Sequence, residues 1–80
     1  MRLDKFLKVS RLIKRRTIAK EVTSAGRVTL NGRVAKPGSE VNPGDVLEIR
    51  FGSRQVKAEI LDVKENVRTE EAQDLYRIIE

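Results

Sequence analysis

The sequence predicts an α+β fold: two short helices, a small twisted sheet dominated by antiparallel pairing, and a short C-terminal helix. Three observations carry this expectation. Apolar residues recur at helical spacing in the first third of the chain, and from Val28 onward the period switches to two. Turn-forming pairs then punctuate the alternating stretches: Asn31-Gly32, Pro37-Gly38 and Pro43-Gly44.

The first helix is expected over residues 3–13, "LDKFLKVSRLI", with Leu3, Phe6, Leu7 and Ile13 on one face and Asp4, Lys8 and Arg11 on the other. Asp4 near the start suits the helix dipole. After a joint of four residues, Thr17 is expected to cap a second helix over residues 18–25. Its apolar stripe reads as Ile18, Val22 and Ala25, with Ala19 at the edge and Lys20 opposite, and Gly26 closes it. So short a joint forces the two helices to pack at a sharp angle.

Val28 and Leu30, then Val34, alternate around Asn31-Gly32, a strong two-residue hairpin signal. A third strand is expected over Val46–Phe51, with a turn at "GSR". "QVKAEILDV" reads as a fourth strand, with Val56, Ala58 and Ile60 alternating. Both prolines fall in turns, where no ladder bond is lost. In "TEEAQDLYRIIE", Thr69 as cap and Ala72, Leu75, Tyr76 and Ile79 at helical spacing predict the terminal helix.

Eighty residues make one small domain, with a core motif over about residues 1–50 and the remaining strands and terminal helix over 51–80. The net charge is +5, and it is segregated: residues 1–36 hold 11 Lys/Arg against Asp4 and Glu21, a balance of +9, while residues 37–80 balance to −4. Such polarity predicts a polyanionic partner for the basic part and none for the acidic part.

Several chemistries are set aside on composition. The chain has no cysteine and no histidine, which removes thiolate chemistry, the usual zinc ligands and the usual general base. No phosphate-binding glycine loop or nucleophile-elbow motif occurs. Glu48, Glu59 and Asp62 would be the carboxylates of an acid pair or magnesium site, but they sit as the solvated face of strands does. The expectation is a non-enzyme with no cofactor and no metal. No apolar run approaches the ~18 residues of a membrane span, and the charged N-terminal stretch is not a signal peptide. Helix 1 is too short and too much needed by the core to lie on a bilayer. A reducing, cytoplasmic setting is the simplest reading.

Nucleic acid remains. Arg2, Lys5, Lys8, Arg11, Lys14, Arg15, Arg16, Lys20 and Arg27 all lie in the helical pair or at its edges, and Arg33 and Lys36 extend the charge along the hairpin. Lys8 and Arg11 follow the outer face of helix 1. Lys14, Arg15, Arg16 and Lys20 crowd the joint and the start of helix 2, with Arg2 beside them at a mobile terminus. A helix start offers unpaired N–H groups and the positive dipole end, so Arg16, the Thr17 hydroxyl and Lys20 would enclose a phosphate. Phe6, Phe51 and Tyr76 are the only aromatics, and they make no stacking platform for single strands. The second helix, "IAKEVTSA", is poor in groups that read base edges. Folded RNA, recognised by backbone and shape, fits better than duplex DNA.

"RLDKFL", the Arg16-Thr17 step with Ala19 behind it, "AGRVTLNGRVAKPG" and "NPGDVLEI" together resemble the RNA-binding domain of the ribosomal protein S4 type, also called the αL motif, over about residues 1–50. The resemblance implies a two-helix L presented to structured RNA, with Arg2, Lys5, Arg16, Thr17 and Lys20 as contacts. The short ending "KENVRTEEAQDLYRIIE" is similar to small bacterial ribosome-associated quality-control factors. That resemblance implies partners: the rRNA of a free large ribosomal subunit, a peptidyl-tRNA held in place, and a factor that tails the nascent chain. The alternative is a ribosome-assembly or heat-shock-type factor that binds rRNA without tRNA. Either would act as a monomer, away from membranes.

Overall fold

The structure is a computed structural model that describes residues 1–79. Two helices, α1 (Leu3–Val9) and α2 (Arg16–Ser24), precede four strands: β1 (Val28–Leu30), β2 (Arg33–Val34), β3 (Val46–Phe51) and β4 (Arg54–Ile60). A 3-10 helix over Thr69–Leu75 leads into a fifth strand, β5 (Tyr76–Ile78). The sheet has the order β2-β1-β3-β4-β5 and every pair is antiparallel.

Period two puts alternate side chains on opposite faces. Leu47 and Ile49 of β3, Val28 of β1, and Ala58 and Ile60 of β4 therefore share the inner face, all fully buried. Leu3, Phe6 and Leu7 of α1, Ala19 of α2, Val41 and Leu75 close over them. Asn31 and Gly32 both take positive φ, 52° and 82°, as a type I′ hairpin demands. The Asn31 side chain also joins this hairpin to the next turn: it donates to Asp45 at 3.1 Å and accepts from the Val46 amide at 2.9 Å.

Several expected boundaries are corrected. The first helix ends at Val9, not at residue 13. The buried Ser10 hydroxyl donates to the Leu7 carbonyl, and Arg11 turns left-handed at φ 66°. The chain then doubles back so that the Ile13 amide meets the Leu7 carbonyl at 3.0 Å. Ile13 reaches the same core from this loop, so the spacing imitated a longer helix. The fourth strand begins at Arg54, inside the expected turn, and stops at Ile60.

The terminal segment departs furthest. Ala72 and Leu75 are buried at a spacing of three, which a 3-10 helix places on one edge. Thr69 lies inside that helix and makes no cap. Tyr76 is not helical but pairs with Ile60, and Ile78 pairs with Ala58, so the end of the chain covers the β4 edge. Ile79 follows the strand, its amide donating to the Lys57 carbonyl.

The second helix starts at Arg16, with Arg15 at the N-cap position and no side-chain cap, so Thr17 is not its cap. Its inner stripe is Ala19, Val22 and Thr23, while Ile18 is 42% exposed and Ala25 is on the surface. The Thr23 hydroxyl satisfies itself on the Ala19 carbonyl at 2.6 Å. Gly26 ends α2 in a Schellman motif: its amide meets the Thr23 carbonyl, the Arg27 amide meets the Val22 carbonyl, and φ is 78°.

Candidate nucleic-acid interface

The site is built around a carboxylate that the helical spacing placed on the outer face. Asp4 is instead 1% exposed. Leu3 and Asp4 donate their amides to the Ser39 and Pro37 carbonyls, and the Val41 amide donates to the Met1 carbonyl. With an antiparallel bridge between Arg2 and Glu40, these bonds fasten the first residues against the 37–41 segment, so Arg2 is not on a mobile terminus. The fastening rotates Asp4 inward, toward the start of α2.

There Asp4 holds two guanidiniums from separate elements. Arg2 Nε lies 3.2 Å from Oδ1 and Arg16 Nε lies 3.5 Å from Oδ2. Oδ1 also accepts the Lys5 amide at 2.8 Å. Burial is the largest influence on this carboxyl and opposes ionisation. The Arg2 hydrogen bond, the Arg16 charge and the Lys5 amide together outweigh it and hold the pKa below its usual value. Both arginines stay half exposed at their side chains, so each keeps N–H groups for a ligand while Asp4 fixes its position.

Arg2, Asp4, Arg16, Thr17 and Lys20 line one concave pocket of about 270 Å³. It opens at the uncapped start of α2, where backbone N–H groups lack a partner and the dipole favours an anion. Gly38 lies beneath: a Cβ there would sit 3.8 Å from the Arg2 guanidinium. Two guanidinium forks, a hydroxyl and an ammonium around a helix start are chemistry for a phosphate group.

The other expected contacts fall outside this pocket. Lys5 pairs with Glu65, whose pKa is lowered first by that hydrogen bond and then by the Lys5 charge. Lys8 is exposed on α1. Arg11 belongs to the loop after α1, not to its outer face, and its guanidinium lies 3.5 Å from the Thr69 hydroxyl. Lys14 and Arg15 are exposed on the joint. Of the nine expected contacts, the fold brings together Arg2, Arg16, Thr17 and Lys20.

Asp4 is the site residue that sequence reasoning missed as such. A signal existed: it is one of two carboxylates among the first 36 residues. The carboxylates weighed for metal or acid chemistry are paired with cations: Glu48 with Lys57, Glu59 with Arg77, and Asp62 with Lys64. Among the described residues, no group of three or more acidic side chains is arranged to hold a metal ion.

Comparison with known proteins gives the family. The S4 domain family model matches residues 1–47. A protein of Halalkalibacterium halodurans named RQC P-site tRNA stabilizing factor is 65% identical over 78 residues, covering 98% of this chain and 89% of that one. A protein of the same name from Bacillus subtilis is 54% identical, covering 99% of this chain and 92% of its own. Among solved structures, the trimeric Heat Shock Protein 15 of Vibrio cholerae superposes with a TM-score of 0.91 at 35% identity, covering 99% of this chain and 81% of that one. The family match, the high identity along nearly the whole length and the shared fold place the chain in the S4 domain family, within the group of proteins named RQC P-site tRNA stabilizing factor.

Proposed function

We propose that this chain is a non-enzymatic RNA-binding factor of ribosome-associated quality control. It binds the rRNA of a free large ribosomal subunit and the peptidyl-tRNA stalled there, and so supports tailing of the nascent chain by a partner factor. It acts in the cytoplasm as a single-domain monomer over residues 1–80. The observation that carries this reading is the pair of guanidiniums, Arg2 and Arg16, held by the buried Asp4 beside Thr17 and Lys20 at an uncapped helix start. The relatives named for stabilising a P-site tRNA support the tRNA part.

Sedimentation with purified large subunits tests it. A hydrogen bond to a charged group contributes about 1.5–3 kcal/mol, so Arg16→Ala should weaken binding roughly 10- to 100-fold. Lys57→Ala, on the opposite face of the sheet, should pellet like the parent. Equal pelleting of both variants would remove Arg16 from the site. A second reading, an rRNA-binding factor without a tRNA or tailing role, is favoured by the likeness to Heat Shock Protein 15. Probing the pelleted subunits for bound tRNA separates the two: co-sedimenting peptidyl-tRNA supports the first reading, and bare subunits the second.

A further inference from the structure

The outer face of the sheet carries charges that mostly neutralise one another across strands. Glu48 on β3 faces Lys57 on β4, 3.7 Å away, and also accepts from Gln55. Glu59 on β4 pairs with Arg77 on β5.

The pattern breaks where β1 begins. Val28 stands opposite Ile49, so the next pair outward is Arg27 and Arg50, and the Arg50 amide donates to the Arg27 carbonyl at 2.9 Å. Both arginines are exposed, and neither has an ion-pair partner among the described residues. Like charges directly opposed on neighbouring strands destabilise the pair. Gln55, the other cross-strand neighbour of Arg50, gives its amide to Glu48 and relieves nothing. The two arginines line a concave pocket of about 300 Å³ whose remaining lining is Ala25, Gly26 and Gly52. These residues bring no carboxylate and no bulk.

We propose that Arg27 and Arg50 form a second RNA contact, which takes a phosphodiester group of the RNA backbone. The inference rests on the RNA-binding reading above. Two forks converging on one tetrahedral oxyanion convert an unfavourable pair into charge-assisted hydrogen bonds. The pocket lies at the C-terminal end of α2, where the helix dipole opposes an anion, so one arginine alone is insufficient and both are required. The first pocket lies at the other end of the same nine-residue helix, a length of about 13 Å at 1.5 Å per residue. The two pockets therefore hold different phosphates. Continuity along α2 favours a second stretch of the same polyanion over an acidic protein surface.

The test is binding of the full chain to protein-free large-subunit rRNA over a range of KCl concentrations. Arg27→Gln/Arg50→Gln is compared with Lys57→Gln/Lys64→Gln, which removes the same charge elsewhere. The arginine pair should lower affinity at least about fivefold more than the lysine pair and reduce the log–log salt slope by about 0.7–0.9 for one lost phosphate. Each single arginine variant should show most of that loss, and thermal stability should hold or rise as the opposed charges disappear. Equal affinity and slope for the two double variants would overturn the proposal. So would a deficit seen on intact subunits but absent on bare rRNA, which would assign the patch to an acidic protein, or a lowered melting temperature, which would make the role structural. A parent chain that fails to bind rRNA would overturn the RNA reading itself. Arg16→Ala, which touches only the first pocket, keeps the two failures distinct.

Discussion

The Asp4 carboxylate is nearly inaccessible, yet it is the group that puts Arg2 and Arg16 side by side. Asn at this position keeps the shape and removes the charge, leaving two guanidiniums without their counter-ion at a cost of about 1–3 kcal/mol. Asp4→Asn should therefore weaken RNA binding even though Asp4 repels a phosphate directly; unchanged or tighter binding would show that it does not position the arginines. The pH dependence follows from the direction of the shift. A carboxyl whose pKa is lower folded than unfolded contributes stability above its unfolded pKa, and the contribution disappears as pH falls through the folded value. Acid unfolding should start at higher pH in the parent than the loss of other carboxylates alone explains, and the curve for Asp4→Asn should be flatter below pH ~4. Arg11 makes a second, independent case. Its φ of 66° is unfavourable for a residue with a Cβ. Arg11→Gly should stabilise the chain by up to about 1 kcal/mol, less the backbone entropy glycine loses, as read by chemical denaturation.

The start of α2 is left open where capping would stabilise it. Arg15 occupies the N-cap position and supplies no side-chain bond. Arg15→Ser should raise helix stability by about 0.5–2 kcal/mol. The serine hydroxyl would then occupy an N–H group that the proposed phosphate contact needs. Arg15→Gln removes the same charge without a good cap. RNA affinity should fall in the order parent, Arg15→Gln, Arg15→Ser, while the melting temperature is highest for Arg15→Ser. If the two variants bind equally, the open helix start is not part of the site. The same helix shows how far local pattern carries. Gly26 was legible as its end because a left-handed C′ residue is a local requirement that glycine meets best. Its inner stripe was misassigned by one step, to Ile18 instead of Ala19 and Thr23. The reason is that a small residue is needed where α2 packs closely, and hydrophobicity alone ranks Ile above Ala and Thr.

Among the described residues, one ion pair links the basic part of the chain to the acidic part. Glu65, from the acidic part, reaches across 60 residues of sequence to pair with Lys5 in the basic part. An RNA phosphate approaching Lys5 competes with this carboxylate. Glu65→Gln should raise RNA affinity about threefold at low salt, and the difference should vanish at high salt because an exposed pair is screened. A variant no tighter than the parent would remove Lys5 from the contact surface.

Local chemistry determined much of this protein. The order of the first two helices and four strands, the Asn31-Gly32 hairpin and the basic character of the helical pair were readable from spacing, turn residues and charge, and the αL resemblance from the motifs of residues 1–50. Those features depend on neighbours within a few residues. Tertiary structure alone decided the rest. It turned Asp4 inward by fastening Leu3 and Asp4 to the 37–41 segment, and it paired β5 with β4 where helical spacing suggested a third helix. It also set Arg27 against Arg50, two residues assigned by sequence to opposite halves of the charge balance. Periodicity states which face of an element is apolar, but the partner of a charged side chain is chosen by long-range register, which spacing along the chain does not encode.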